Sequence, residues 1–333
     1  MLKAIRRLLL LGLLTVLTLA AAGWWYVEHT RVLSAGPVSI EIRAGTSLRG
    51  IARQLEQAGL ITWPDVFVSY ARLRGDASRL KAGSYEFSDE VSVRGILDRI
   101  AQGDVSEVSI TIPEGWTWRQ LRASLRQHPH ITPATPADDD AGLMAAIGLP
   151  GARPEGWFFP ETYFFGKGSS EVDILRRAHR LMRKHLDREW SRRRDGLPLK
   201  SPEEALILAS IVEKETGRAE ERGLVAAVFL NRLRIGMRLQ TDPTVIYGLG
   251  AAFDGNLRKR DLLTDTPYNT YTRAGLPPTP IAMPGLDSIR AVLQPPQSDA
   301  LYFVARGDGS SHFSHTLAEH ERAVTEFQIR RRK

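Results

Sequence analysis

The chain contains no cysteine. That absence excludes a disulfide scaffold, a thiol nucleophile, an iron–sulfur cluster and any Cys-ligated zinc. It leaves the compartment open, because a large exported protein can fold without disulfides. Compositional extremes are missing as well. Hydrophobic residues make up 43% and charged residues 25%, so wholesale disorder is excluded. A mean hydropathy of -0.22 excludes a polytopic membrane protein, though not a single span. What the chain does have is length, 333 residues, enough for two domains with ample core. It also has an excess of positive charge, +7 with a pI near 9.8, which by itself points toward a polyanion.

One long apolar run is present. Leu8 to Val27 carries no charge over 20 residues, and a helix of that length, about 30 Å, crosses a hydrocarbon core. Lys3, Arg6 and Arg7 precede it and Glu28 follows. The basic flank belongs in the cytoplasm, with the rest of the chain outside. Trp24, Trp25 and Tyr26 stand at the far end, where amphipathic rings favour the headgroup layer. A cleaved signal peptide would use Leu8–Leu19 as its apolar region and Ala20-Ala21-Ala22 as its cleavage site. The anchor is preferred because the run continues through the aromatics. Either reading exports everything from Glu28 onward and makes nucleic acid an improbable partner.

The exported part begins with an alternating strand, Val38–Arg43. Gly45-Thr46-Ser47 opens a helix with Leu48, Ile51, Ala52 and Leu55 inward, and Trp63–Leu73 is a second helix with Pro64 in its first turn. A short strand at Tyr85–Phe87, a helix opened by Ser92 and a strand at Val108–Ile112 follow. Segments starting at Ser47, Ser92 and Thr117 echo one another, either as shared caps before an apolar stripe or as true repetition. The strand–helix–helix–strand order over roughly 38–108 resembles the LysM fold, a glycan-binding module. Ile131–Ala137 with Asp138-Asp139-Asp140 reads as a loop. Val172–Trp190 is an amphipathic helix whose arginine-rich face is solvated by default, with contact to an anionic polymer or lipid as the alternative.

Ser201–Gly217 is the most informative stretch. Ser201 and Glu204 form a capping box, Pro202 suits the first helical position, and Gly217 can end the helix. At 100° per residue Ile207, Leu208, Ile211 and Val212 make one apolar stripe, and Glu215 falls within it. Glu213 points to the opposite side with Ser210, toward solvent. Desolvation on the apolar face raises the pKa of Glu215, as a general acid at a glycosidic oxygen requires. The competing reading lets the helix fray, so that Glu215 reaches solvent, Arg218 or Arg222. Downstream, Leu224–Leu233 reads as a buried helix whose Asn231 and Arg232 need partners. Gln240–Pro243 is a polar turn. Tyr268–Tyr271 and Gly275–Pro280 are loop segments whose Tyr, Asn and Thr suit sugar recognition.

These stretches in order resemble the MltG (YceG-like) family of membrane-anchored endolytic murein transglycosylases. The matching motifs are Glu155–Tyr163 (EGWFFPETY), Ala209–Thr216 (ASIVEKET), Phe229–Leu233 (FLNRL), Met237–Gly248 (MRLQTDPTVIYG), Thr266–Tyr271 (TPYNTY), Gly275–Pro278 (GLPP), Tyr302–Val304 and His312–Ser314. Glu321 departs from the pattern, which has Asn after His320. The resemblance implies an α+β protein in three parts. These are a cytoplasmic stub and transmembrane anchor at 1–30, a LysM-like module at 31–110 and a YceG-like catalytic domain at 111–330. It makes Glu215 the catalytic acid/base, in agreement with the helical-face argument. The implied reaction cleaves the β-1,4 bond between N-acetylmuramic acid and N-acetylglucosamine and leaves a 1,6-anhydromuramoyl end. Asn231, Gln240, Asp242, Tyr247, Tyr268, Asn269 and Tyr271 are the candidate cleft residues.

Two rivals remain at this point. One is a glycoside hydrolase with Asp242 or Glu161 as a second carboxylate. The other is a silent peptidoglycan-binding scaffold. His312, His315 and His320 are close in sequence but lack an obvious acidic partner arrangement, so no metal and no cofactor are expected. The expected partners are glycan strands and the inner membrane, through one helix with the bulk in the periplasm; the family resemblance also implies peptidoglycan synthases.

Overall fold

The computed structural model describes residues 2–29, 31–32, 37–43, 45–87, 90–105 and 107–329. The side chain of Lys3, one of the expected flanking charges, lies outside the described residues. The chain forms two compact units, Met1–Ser109 with Phe164–Ser169, and Ile110–Tyr163 with Ser170–Lys333. Helices and short strands are mixed throughout, as an α+β class requires.

The first unit opens with α1 (Leu2–Glu28), which is followed by β1 (Arg31–Val32), β2 (Val38–Ile42), α2 (Leu48–Gln57) and α3 (Pro64–Leu73). Next come β3 (Gly83–Phe87), β4 (Glu90–Val91), α4 (Val93–Gln102) and the start of β5 (Glu107–Thr111). Leu9–Glu28 is the one helical stretch among the described residues long and apolar enough to cross a membrane. β2 and β3 pair antiparallel, with Ile40 opposite Tyr85 and Val38 opposite Phe87. Alternation along β2 turns Ile40 and Ile42 into a core with Leu55, Phe67, Leu97 and Ile100. The three echoing segments are all N-caps. Ser47 accepts from the Gly50 N–H, Ser92 from Gly95 and Thr117 from Gln120, and each starts a helix of 10 residues.

The second unit contains α5 (Trp118–Gln127), β6 (Ile131–Thr132) and α6 (Asp140–Ala146), then β7 (Thr162–Gly166), which carries the chain briefly into the first unit, and β8 (Ser169–Ser170). The rest is α7 (Glu171–Ser191), α8 (Pro202–Glu215), α9 (Ala219–Arg234), α10 (Asp242–Leu249), α11 (Lys259–Leu263), α12 (Leu286–Leu293), β9 (Tyr302–Ala305), β10 (Ser311–Ser314) and α13 (Leu317–Val324). α8 is central. Its Leu206, Leu208, Ala209, Ile211 and Val212 share one core with Met182 and Leu186 of α7, Val225 and Phe229 of α9, and Ile289 and Val292 of α12.

Several expectations need correction here. Asp138–Asp140 is not all loop: Asp139 accepts from the Gly142 N–H and caps α6, because a carboxylate suits a helix N-terminus. The capping box on α8 is half formed. Ser201 accepts from the Glu204 N–H, but the Glu204 carboxylate takes the Lys200 N–H instead of reaching back to Ser201. Gly217 does not terminate α8, which ends at Glu215 with Thr216 extended at φ -138 and ψ 131. The arginine-rich face of α7 lies at the surface as expected, with Arg180 and Lys184 exposed, and within it Arg176 pairs with Asp173, Arg183 with Asp187 and Glu203, and Arg188 with Glu189.

Candidate active site

α8 presents Glu215 as its last residue. The reason differs from a simple amphipathic stripe. α8 is buried nearly all round: Leu206 and Ser210 are fully buried, whereas Ile207, expected in the apolar stripe, is half-buried. Ser210 donates to the Ile207 carbonyl and accepts the Ile281 N–H, so even its polar position is enclosed. Glu213, expected to face solvent, is half-buried and accepts from the Gly285 N–H at 2.9 Å and the Ser288 hydroxyl at 2.7 Å. It thereby caps α12, where a negative charge meets the helix dipole. Both bonds fall on its Oε2, so this oxygen serves the start of α12.

Glu215 is half-buried as a residue, with its carboxyl largely removed from water. The Thr241 hydroxyl donates to its Oε2 at 2.6 Å. Burial raises the pKa of Glu215, and the charge of Asp242 adds to that; the Thr241 hydrogen bond and the Arg232 charge pull the other way. Among the described residues neither Arg218 nor Arg222 forms an ion pair with it, Arg222 pairing with Asp287, and the helix does not fray. Glu215 therefore keeps its proton closer to neutral pH than an ordinary carboxylate does.

Thr241 is aimed by a strained turn. Gln240 has φ 50 and is the one non-glycine with positive φ among the described residues. A left-handed residue with a side chain costs about 1–2 kcal/mol, and the turn is held by donation from the Gln240 N–H to the Thr270 carbonyl. The Thr241 N–H donates to the Thr270 hydroxyl at 3.1 Å, and the Thr244 hydroxyl donates to the Thr241 carbonyl at 2.7 Å. A Thr before Asp242-Pro243 reads as an N-cap, yet Thr241 makes no side-chain cap bond on α10 and serves Glu215 instead. Asp242 accepts from the Tyr271 hydroxyl at 2.6 Å. Tyr271 is pushed up by burial first and by Asp242 second, so it stays a neutral donor.

Thr241→Val should raise the Glu215 pKa further, since it deletes a bond that favours the carboxylate. The pH–rate profile should move toward higher pH, with activity at its own optimum lower by about tenfold. A profile unmoved in pH would remove Thr241 from the proton-transfer machinery.

A cavity of about 1090 Å³ has Trp118, Glu155, Lys214, Pro243, Tyr247 and Tyr268 among its lining residues. Glu215, Thr241, Asp242 and Tyr271 do not line it; their chain neighbours Lys214 and Pro243 do. Tyr247 and Tyr268 meet edge to face with centroids 4.8 Å apart, and the Tyr268 hydroxyl bonds Thr279 at 2.8 Å. Glu155, a residue the sequence offered only within a motif, is buried in the wall. It accepts from the Trp118 N–H at 2.9 Å and from the Tyr247 hydroxyl at 2.9 Å. Gly156 lets this loop approach: at φ +84, a Cβ there would lie 2.3 Å from Pro280. Burial pushes the Glu155 pKa up to about 7, against the Trp118 N–H and the Tyr247 hydroxyl, which pull it down.

Because its folded pKa lies above the unfolded value, Glu155 favours folding fully below about pH 4.5 and loses that contribution as pH rises through about 7. The loss amounts to at most about 3 kcal/mol. Glu155→Gln should flatten that part of the stability–pH curve relative to the parent chain. Parallel curves for the two proteins across this window would refute the assignment.

The structure thus gathers Glu215, Asp242 and Tyr271 with Thr241, and places Tyr247 and Tyr268 in the wall of the cavity that Lys214 and Pro243 also line. Gln240 contributes its backbone turn, with its residue exposed. Asn231 and Asn269 act as builders. The Asn231 amide donates to the Ser298 and Ala300 carbonyls. Asn269 is fully buried, donates to the carbonyls of Leu262 and Thr264 and accepts the Tyr271 N–H at 2.8 Å, which shapes the loop behind Tyr271.

Comparison with known proteins bears on this arrangement. The sequence pattern of the YceG-like family matches residues 40–326. A Bacillus subtilis protein named endolytic murein transglycosylase is 31% identical over 308 residues, covering 87% of this chain and 84% of its own. A Streptococcus pneumoniae protein of the same name is 30% identical over 326 residues, with 87% of this chain but only 58% of the relative covered. The crystal structure of a yceG-like protein from Listeria monocytogenes is similar at a TM-score of 0.55 and 32% identity, over 86% of this chain and 98% of that one. On the extent of the family match and of the identity to these relatives, this chain belongs to the YceG-like family.

Proposed function

We propose that the protein is an endolytic murein transglycosylase that cuts the β-1,4 bond between N-acetylmuramic acid and N-acetylglucosamine inside glycan strands. The observation that carries the reading is the Glu215 carboxyl, withdrawn from water and tuned by Thr241 and Asp242. Protonated Glu215 donates to the glycosidic oxygen as the C1–O bond breaks. The resulting carboxylate takes the proton of the muramoyl C6 hydroxyl, whose oxygen bonds to C1. The glutamic acid is regenerated, no water is consumed, and the product carries a 1,6-anhydromuramoyl end. Positive charge develops at C1 during bond breaking, and the Asp242 carboxylate near Glu215 is suited to offset it. Tyr247, Tyr268 and Tyr271 offer ring faces and hydroxyls for the sugars.

The rest of the chain fits that role. α1 anchors the protein in the inner membrane with its bulk in the periplasm. Residues 31–110 form a LysM-like glycan-binding module, and 111–330 the catalytic domain. Cleavage of strands close to the membrane would terminate their elongation, with peptidoglycan synthases as working partners.

The nearness of the Asp242 charge to Glu215 favours one rival, a hydrolase in which Asp242 serves as second carboxylate. Mass spectrometry of digested strands separates the two. Anhydromuramoyl ends are expected, and reducing muramic acid ends would overturn the transglycosylase reading.

A further inference from the structure

The end of α1 is locked into the first unit. Tyr26 and Val27 are each 3% exposed and belong to the same core cluster as Leu60, Ile61 and Phe67. The Tyr26 hydroxyl oxygen accepts from the backbone N–H groups of Thr62 and Trp63, each at 2.9 Å. The Tyr26 and Trp63 rings lie 4.6 Å apart. Two residues after Tyr26, Glu28 pairs with Arg94 of α4 at 2.9 Å. Helical bonding runs through this junction, since the His29 N–H still donates to the Trp25 carbonyl at 2.9 Å. α1 therefore enters the unit as a continuous rod with no hinge.

That geometry fixes a depth. Leu9–Glu28 holds 20 residues, about 30 Å of helix, which matches the hydrocarbon thickness. Tyr26 stands within about one turn of the end of that span, at the boundary between acyl chains and headgroups. Whatever touches the Tyr26 ring stands at the same level. Trp63 does so, and it is 54% exposed despite being large and apolar. Trp24 and Trp25, 63% exposed each, occupy the same level on α1. Indole combines an apolar body with one N–H donor, and its preferred site in a bilayer is this layer.

We infer that the Thr62–Pro64 turn is a second membrane contact, in which Trp63 enters the headgroup layer of the leaflet where α1 emerges. The occupant of the exposed Trp63 face is the phospholipid headgroup–acyl boundary. Together with α1 it holds the first unit in one orientation on the bilayer, instead of letting it swing on a tether. The inference rests on α1 as a membrane span and is independent of the catalytic reading.

The absence of cysteine makes the test clean. Trp63→Cys, with Thr62→Cys as a second site, each accept a single thiol-reactive fluorophore in the full chain, and the backbone N–H donors to Tyr26 are retained. Leu17→Cys reports the middle of the span. Each labelled protein is reconstituted into phosphatidylcholine–phosphatidylglycerol vesicles and quenched by headgroup nitroxide lipid, mid-chain nitroxide lipid or aqueous iodide. The expected result is a loss of emission to headgroup nitroxide at 63 and 62, shielding there from iodide, and a loss to mid-chain nitroxide at 17. Iodide quenching at 63 and 62 with mid-chain quenching at 17 overturns the proposal and leaves the span intact. Iodide quenching at all three sites overturns both. Shielding of 63 and 62 from every quencher means that protein covers the face, and it also overturns the lipid contact.

Discussion

Glu215→Gln should lower strand cleavage by about a thousandfold or more while the protein stays folded. The amide is isosteric with the protonated acid and can still accept the Thr241 hydroxyl, now 2.6 Å from Oε2. It cannot give up a proton to the glycosidic oxygen or take one from the C6 hydroxyl. Folding should not suffer. The Glu215 pKa is raised in the folded state, so its contribution to stability is complete below the unfolded pKa and fades as pH rises through the folded one. A neutral amide escapes that loss at neutral and alkaline pH. Parallel product analysis and thermal unfolding of the two proteins provide the check. Cleavage at the parent rate would remove Glu215 from the mechanism. Asp242→Asn at the neighbouring position distinguishes electrostatic support from a nucleophile, since a surviving anhydro product excludes an obligatory second carboxylate.

Glu171→Leu should destabilise the second unit by about 3–5 kcal/mol, the usual cost of stranding one partner of a buried ion pair. The side chains of Arg122 and Glu171 are 8% and 1% exposed and hydrogen-bonded to each other. Glu171 also accepts the Ala134 N–H at 2.7 Å and the Thr135 N–H at 3.3 Å, so its removal orphans two backbone donors as well. Arg122 lies on α5, whose first N–H, from Trp118, is bonded to Glu155 in the cavity wall. Loss of stability should therefore be accompanied by loss of activity. Urea unfolding measures the first effect. In the double variant Arg122→Met, Glu171→Leu the destabilisation should shrink, because no buried charge is left alone. A double variant as unstable as the sum of the two singles would show that the pair is not coupled.

Much of this was legible before any coordinates. Ser47, Ser92, Thr117 and Ser201 all cap the helices they precede, because capping depends on a few neighbouring backbone N–H groups. Alternation located β2, and an uncharged stretch of 20 residues located the apolar helix. The upward pKa shift of Glu215 by burial was also foreseen, although the face argument behind it was incomplete. It treated α8 as half-solvated, whereas α7, α9 and α12 surround it and enclose Ser210. Glu213 escaped recognition as a cap for α12, since Gly285 and Ser288 are more than seventy residues away. Thr241 stood unremarked inside the polar turn Gln240–Pro243, and its hydroxyl bonds Glu215 on another helix.

The line between the two kinds of knowledge follows sequence separation. Helix starts, the apolar span, the motifs that mark the YceG-like family and the identity of one acidic residue are local patterns, set by spacing and residue chemistry. The roles of Asn231 and Asn269 as loop builders, the burial of Glu155 and the left-handed turn at Gln240 depend on contacts that chain folding alone creates. So does the junction of Tyr26 with Trp63. A polar side chain chooses its partner only once the backbone groups around it are placed, and desolvation, which raises the pKa values of Glu155 and Glu215, is a property of that packing and of no single segment.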